Sequence, residues 1–123
     1  MPHIIVEASR NIAKRIDFFA LVGSIHERLC QTGNLPVHAV KTRGIVHDVF
    51  ISGDINISNG AFLTVLLRVQ PGRTLEVEQS FAQTMLDAIH EAIEGIVDQP
   101  ISISVDVQHI VRDTSLSSNL RFE

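Results

Sequence analysis

The chain has 123 residues, a formal net charge of −4, and neither tryptophan nor tyrosine. A chain of this size buries roughly two-thirds of its unfolded surface, so it has room for one hydrophobic core but not for two. An excess of acidic residues, the lack of a basic run and an aromatic content restricted to six phenylalanines argue against a nucleic-acid-binding protein.

The chain contains no segment typical of membrane insertion or secretion. Its longest nearly apolar run, residues 61–67, is far shorter than the roughly 20 residues of a membrane-spanning helix. The first residues lack the basic and then apolar layout of a signal peptide. We therefore expect a cytoplasmic protein without a membrane partner, in which the single cysteine, Cys30, is a reduced and partly buried thiol.

The first half of the chain predicts a strand, a helix and a second strand. Residues 3–7 are a β-branched run typical of a strand covered on both faces. Four apolar residues then recur on one helical face: Phe18, Val22, Ile25 and Leu29. Asp17 is a typical first residue of this helix and Gly33 a typical stop. Residues 37–51 are rich in valine and isoleucine and predict a long strand bent at Gly44.

The second half of the chain repeats this layout. Residues 62–69 predict a buried strand, and Thr74 is the expected N-cap of a long helix. The apolar face of that helix comprises Ala82, Met85, Ile89, Ile93 and Ile96. Gly95 and Pro100 mark its end. Residues 101–108 then alternate between apolar and polar, as in a strand with one solvated face.

These elements predict a single α+β domain over residues 1–123. It consists of two β-α-β units, about 1–53 and 61–110, followed by a C-terminal arm, 111–123. Right-handed crossovers make each unit a parallel strand pair, and one four-stranded sheet with both helices on one face accommodates them. The other face is then bare and too apolar for water, so we expect self-association through it.

The only catalytic group that the residues suggest lies at the start of the chain. Nucleotide-binding, zinc-protease and serine-hydrolase motifs are absent, and none of the six histidines forms a metal-binding pair on a helix. Removal of Met1 would leave Pro2 with a secondary amine. A free α-amino group has a pKa of about 7.7 to 8.0, and burial or nearby cations lower it, so the amine can act as a general base. The alternative is that Pro2 is simply the second residue.

Three segments resemble a known family. The opening Met-Pro-His-Ile-Ile-Val-Glu, Arg43 on the second strand, and Pro-Gly-Arg-Thr-Leu-Glu at residues 71–76 resemble the 5-carboxymethyl-2-hydroxymuconate isomerases of the tautomerase superfamily. The resemblance covers most of the chain. It implies a β-α-β-β-α-β tautomerase-like subunit, a homotrimer and no cofactor. It also implies a reaction in which Pro2 carries a proton from the enol oxygen of a carboxylated 2-hydroxy-2,4-dienoate to a carbon, giving the 2-oxo-3-enoate.

The expected anion-binding residues are Arg73, Arg43 and Lys41. Arg73 precedes the second helix, whose first N–H groups also favour an anion, and we assign it a catalytic role beside Pro2. The alternative for Arg73 is a solvated turn residue. Arg43 and Lys41 are two residues apart and share one strand face, which makes them candidate substrate-binding residues. The family pattern has arginine where this chain has Lys41, and lysine offers a point charge instead of a bidentate fork.

A different class of protein fits the same order of elements. Ferredoxin-like binding or regulatory modules also follow β-α-β-β-α-β, and a shared fold does not imply a shared function. Such a module would bind a small molecule without catalysis. It would not depend on a free amine at Pro2.

Overall fold

A computed structural model describes residues 1–56 and 58–120. Its main elements, in chain order, are β1 (His3–Ser9), α1 (Arg10–Ala13), α2 (Phe18–Gln31), β2 (Lys41–His47), β3 (Ala61–Val69), α3 (Leu75–Ala92) and β4 (Ile101–His109). Short 3-10 turns lie at Val37–Ala39 and Arg112–Thr114. Two long helices and four strands confirm the predicted order. The end of the predicted arm, 121–123, lies outside the described residues.

The four strands form one sheet in the order β2-β1-β3-β4. β1 and β2 are parallel, β1 and β3 are antiparallel, and β3 and β4 are parallel. Each β-α-β unit is therefore a parallel pair, as predicted. In a ferredoxin-like sheet another strand separates the two strands of each β-α-β unit. Because β1 lies directly beside β2, the ferredoxin-like alternative has the wrong architecture for this chain.

The second strand is shorter than the sequence predicts. Instead of one strand over residues 37–51, the chain forms a 3-10 turn, then β2, and then a non-strand segment from residue 48 onward. β2 is an edge strand whose partner β1 ends at Ser9, opposite His47, so beyond that point no strand is available for hydrogen bonding. Gly44 lies within β2, where an added Cβ would come within 2.8 Å of Phe18 and Val22. The glycine allows α2 to approach the sheet closely.

The predicted helix starts are confirmed. The Asp17 carboxylate accepts a hydrogen bond from the Ala20 N–H at 3.0 Å, and the Thr74 hydroxyl accepts one from the Val77 N–H at 3.2 Å. α1 was not predicted, because its four residues are too few to show a helical pattern; it follows β1 directly and buries Ile12. Among the described residues, no helix combines the length and the apolar character needed to cross a membrane.

The core lies between the helices and one face of the sheet. The buried strand residues alternate along β1 and β3, namely Ile4, Val6, Ala8, Ala61, Leu63, Val65, Leu67 and Val69. Ile25 and Leu29 of α2 and Met85 and Ile89 of α3 are buried, as predicted. Three further residues complete the buried set of α2 and α3: Leu21, Phe81 and Ala88. The intervening residues of β1 and β3 lie on the other face, which we call the open face.

Candidate functional site

One end of the sheet collects the residues that the sequence marked as candidates. Because β1 and β2 are parallel and β3 is antiparallel to them, the amino ends of β1 and β2 meet the carboxyl ends of β3 and β4. His3 lies opposite Lys41 on one side and Arg68 on the other. The Lys41 N–H donates to the Pro2 carbonyl at 3.0 Å. We call this region the proline end of the sheet.

Pro2 is buried at this end. It has the same strand parity as the core residue Ile4, so it lies on the helix-covered side, while His3 lies on the open face. In the chain with Met1 attached, the Pro2 nitrogen belongs to a peptide bond and is not basic. Methionine removal would place a secondary amine at a buried position beside the ends of three strands. The catalytic role of Pro2 stays a prediction.

Lys41 and Arg43 both lie on the open face, as expected for residues two positions apart on one strand. Both side chains are exposed. An Arg43 guanidinium N–H donates to His3 Nδ1 at 3.3 Å. Since arginine has no acceptor, His3 Nδ1 must be the acceptor and the imidazole is neutral, with its proton on Nε2.

The pKa of His3 reflects the positive charges around it. Burial lowers the pKa of His3, and the positive charges of Arg43, Arg68, the N-terminus and Lys41 lower it further. A histidine surrounded by cations resists protonation because a further positive charge is repelled. The proline end is therefore a locally positive region on a chain whose overall charge is negative.

Arg73 lies in the turn between β3 and α3, at the same end of the sheet. Its Nε donates to the Asn34 carbonyl at 2.9 Å, and its Nη1 donates to the Gln70 carbonyl at 3.1 Å. No carboxylate of the described residues forms an ion pair with it. These two bonds hold the half-buried guanidinium in place without neutralising it, which fits a side chain that binds an anion better than a solvated turn residue.

The start of α3 contributes less to anion binding than the sequence suggested. Thr74 already accepts the Val77 N–H, and two carboxylates, Glu76 and Glu78, lie in the first turn. Acidic side chains at this position satisfy the positive end of the helix dipole. In this turn the guanidinium of Arg73, and not the helix end, is therefore the candidate for anion binding, and its catalytic role stays a prediction.

Two further arginines belong to this end and were missed by the sequence reasoning. Arg68 is the last open-face residue of β3, directly beside His3. Arg112, in the turn after β4, donates to the Gln70 side-chain oxygen at 2.9 Å and to the Pro71 carbonyl at 2.8 Å. Arg68 could have been recognised in the sequence, because it is a charged residue in a mainly apolar strand and lies on the same strand face as Leu66. Arg112 has no comparable signal.

A small cavity of about 130 Å³ lies beside the N-terminus. It is lined by Met1, His3, Arg68, Gln70, Ile110 and residues 115–117. The last three belong to the C-terminal arm, which therefore folds back over the proline end. We call this space the terminal cavity.

The described residues offer no group of three histidine, cysteine or acidic side chains that could hold a metal ion. His26 Nδ1 lies 2.6 Å from the Thr42 hydroxyl, and its Nε2 lies 3.7 Å from Cys30 Sγ. Burial raises the pKa of the half-buried Cys30 thiol, which favours the unreactive protonated form. The expectation that the protein uses no cofactor stays a prediction.

Comparison with known proteins decides the family. The family model for 5-carboxymethyl-2-hydroxymuconate isomerase matches residues 2–121. The chain belongs to this isomerase family. The match spans both β-α-β units and includes Pro2, Arg43 and Arg73, and it confirms the resemblance to the tautomerase superfamily and the prediction of an isomerase.

Individual relatives agree with this membership. The 5-carboxymethyl-2-hydroxymuconate Delta-isomerase of Escherichia coli is 24% identical over 111 residues, which cover 89% of this chain and 87% of the relative. A 5-carboxymethyl-2-hydroxymuconate isomerase from Deinococcus radiodurans R1 has a TM-score of 0.88 at 16% identity, over 97% of this chain and 90% of that one. A fused 4-OT symmetric trimer has a TM-score of 0.62 at 13% identity, over 92% and 91% of the chains. These structures confirm the tautomerase-like fold.

Proposed function

We propose that this isomerase converts a carboxylated 2-hydroxy-2,4-dienoate, of the 5-carboxymethyl-2-hydroxymuconate type, into its 2-oxo-3-enoate tautomer by means of the Pro2 amine. The observation that carries the proposal is the proline end itself. A buried proline at the chain start lies among arginines that have no carboxylate partner among the described residues. Membership of the isomerase family supports the proposal that this arrangement is the active site.

The reaction is a proton transfer and needs no redox group. After Met1 is removed, the neutral Pro2 amine takes the proton from the 2-hydroxyl group. The electron pair of the broken O–H bond forms the C2 carbonyl. One C3=C4 double bond replaces the C2=C3 and C4=C5 double bonds. The prolinium then returns the proton to C5. Burial beside cations disfavours the protonated amine, which keeps proline available as a base.

The cations have separate tasks in this proposal. Negative charge spreads over the dienolate as the proton moves, and a fixed positive group stabilises it without having to reorient. Arg73 suits this task because two carbonyls hold its guanidinium. Arg43 and Lys41 lie on the open face, where they would bind a carboxylate of the substrate. Lys41 would do so as a point charge.

The decisive experiment compares two forms of the same chain. Intact mass identifies protein with and without Met1, and the ultraviolet change of 2-hydroxymuconate measures tautomerisation. We expect the Met1-containing form to be inactive and treatment with methionine aminopeptidase to produce activity. Equal activity of both forms would exclude the proline mechanism and favour a reaction that does not use the N-terminal amine.

A substitution provides the second test. Pro2→Ala should reduce kcat by about 100- to 10,000-fold, the usual contribution of a general base, while circular dichroism remains that of a folded protein. Fully retained activity would contradict the role of Pro2. The variant without activity is informative only if its mass shows that its Met1 has been removed, because retained methionine would abolish activity for a different reason.

We further propose that the single domain of residues 1–123 assembles as a homotrimer through the open face. This face carries Ile5, Ile45, Phe62 and Leu66, which are exposed or only half-buried in the isolated chain. An apolar sheet face of this kind is typical of an interface, and identical chains can cover it by symmetry. The similar fused 4-OT protein is a symmetric trimer, which supports this number of subunits.

Sedimentation velocity tests the assembly. The wild-type protein should sediment as a trimer, and Leu66→Asp should dissociate it because a carboxylate would be buried at the centre of the interface. Val97→Asp is the matched control, since Val97 is 93% exposed and lies in the segment between α3 and β4. A monomeric wild-type protein, or a Leu66→Asp variant that assembles like the control, would refute this interface.

A further inference from the structure

The terminal cavity lies next to the proposed base and has a polar lining that the reaction described above does not use. We propose that it is the subsite for a second carboxylate of the substrate, and that Arg68 is the residue that binds this group. This inference rests on the proposed function and specifies it by naming the residue and the cavity that bind the carboxylate at the other end of the dienol.

Arg68 has the properties expected of an anion-binding residue. Its side chain is half-buried, at the open-face end of β3, where its strand neighbours are His3 and Gln108. Within the described residues Arg68 has no ion pair or side-chain hydrogen bond, although its positive charge lowers the pKa of His3. A half-buried guanidinium without a counter-charge is costly unless a bound anion supplies one.

The other groups around the cavity are hydrogen-bond donors. Because His3 Nδ1 accepts from Arg43, the His3 Nε2 carries a proton and can donate it to an anion. The Gln70 side chain and the hydroxyls of Ser115 and Ser117 complete the polar lining. Of the residues that the structure describes, no acidic side chain lines the cavity. A guanidinium with several neutral donors and no acid around it is a setting that fits a carboxylate.

The size and lining of the cavity suit one small group of the substrate. With Met1 in place it measures about 130 Å³. Pro2 is not part of its lining, so the reacting part of the substrate would lie outside this cavity, towards Pro2 and the remaining cations.

The N-terminus and the arm determine how the cavity connects to the site. Met1 forms part of its wall, so loss of Met1 would open the cavity directly towards the Pro2 nitrogen. Residues 115–117 form the opposite wall, and Arg112 ties the start of this arm to Gln70 and Pro71. A carboxylate held by Arg68 would thus fix one end of the substrate at a set distance from the base.

Kinetics with two substrates test the proposal. Arg68→Gln should lower kcat/KM for the diacid 2-hydroxymuconate by about tenfold or more, mainly through KM, because it removes a charged hydrogen bond. For the monoacid 2-hydroxy-2,4-pentadienoate the loss should be less than about twofold. Arg28→Gln is the control with the same charge change, since Arg28 pairs with Glu91 on the helix surface. Equal losses for both substrates, or no loss for the diacid, would overturn the proposal.

A binding experiment separates this proposal from the proposed function. Titration calorimetry of the Met1-free protein uses trans,trans-muconate, a diacid that cannot tautomerise because it has no hydroxyl group, and sorbate, the trans,trans monoacid in which a methyl group replaces one carboxylate. We expect muconate to bind at least tenfold more tightly than sorbate in the wild type and in Arg28→Gln, and this preference to vanish in Arg68→Gln. Binding with the expected preference but without turnover would refute the proposed function alone. A wild type without the preference, or an Arg68→Gln variant that keeps it, would refute the subsite whether or not the enzyme is active.

Discussion

The arginines at the two ends of the sheet have opposite kinds of partner. At the end remote from Pro2, Arg10 forms an ion pair with Asp48, and Arg15 pairs with Asp98 at 3.0 Å. At the proline end, the described contacts of the arginines are with neutral groups. Arg73 and Arg112 donate to carbonyl oxygens, and Arg43 donates to a neutral imidazole.

This contrast distinguishes arginines that are neutralised by an ion pair from arginines that are not. An exposed ion pair contributes little to stability, about 0 to 1 kcal/mol, but it leaves no net charge for a ligand. Clustered arginines without carboxylates repel each other in the empty site, and an anion relieves that repulsion. A chain of net charge −4 therefore has a local excess of positive charge at one end of its sheet.

Among the substitutions that compare the two ends, Arg73→Ala should produce the largest loss of kcat/KM. Arg73→Ala deletes a charged hydrogen-bond donor, which is worth about 1.5 to 3 kcal/mol, so kcat/KM should fall roughly 10- to 150-fold. A loss in kcat would mean that Arg73 stabilises the dienolate, and a loss confined to KM would mean that it binds a remote carboxylate.

The matched control for Arg73 lies at the other end. Arg15→Ala removes the same side chain from the pair with Asp98 and should leave kcat/KM within about twofold while changing the free energy of unfolding by less than about 1 kcal/mol. If Arg15→Ala impaired turnover as strongly as Arg73→Ala, the distinction between the two ends would be wrong.

Releasing the arm should have an intermediate effect. Arg112→Ala removes the hydrogen bonds to Gln70 and Pro71, so residues 115–117 would lose their fixed position over the terminal cavity. We expect KM for 2-hydroxymuconate to rise about three- to tenfold with kcat nearly unchanged, in line with one or two weakened hydrogen bonds. An unaltered KM would show that the arm does not shape the site.

The smallest expected effect concerns pH. The pKa of His3 in the folded protein is below its value of 6.5 in the unfolded chain, because of burial and the surrounding cations. As the pH falls below about 6.5, the unfolded state binds a proton that the folded state does not, so the free energy of unfolding decreases. His3→Gln should therefore make stability less sensitive to pH between about 7 and 5, and should change it little above that range.

Urea unfolding at several pH values measures this effect. His90→Gln is the control, because His90 is exposed on α3, far from the cluster of arginines. We expect the control to keep the wild-type decrease in stability with falling pH. If His3→Gln kept it too, the positive field at the proline end would be weaker than the positions of Arg43, Arg68 and Lys41 imply.

Much of the fold could be predicted from local patterns. Asp17 and Thr74 cap helices where the sequence indicated, because a side-chain oxygen at the N-cap acts over only three residues. The extent of β2 could not be predicted in this way. Valine and isoleucine continue beyond His47, but a strand lasts only as long as its partner, and β1 ends at Ser9.

The candidate site divides in the same manner. Lys41 and Arg43 were correctly expected to share a face, since strand parity alone decides this. Their neighbours Arg68 and residues 115–117 come from the end of β3 and from the arm, and only the antiparallel pairing of β1 with β3 brings Arg68 beside His3. The spacing of residues along the sequence does not indicate that Arg68 lies beside His3.

The family, the order of the elements, the helix caps and the candidate residues Pro2, Arg43 and Arg73 could all be recognised from the amino-acid sequence. These follow from short-range rules or from a motif that can be read along the chain. The partners of the arginines, by contrast, follow from the tertiary structure: Arg10 and Arg15 have carboxylate partners, whereas the described contacts of the arginines at the proline end are with neutral groups. That property depends on residues about 30 to 100 positions apart meeting in space, and the strand order β2-β1-β3-β4 is what brings four strand ends, five cations and a buried proline to the same end of the sheet.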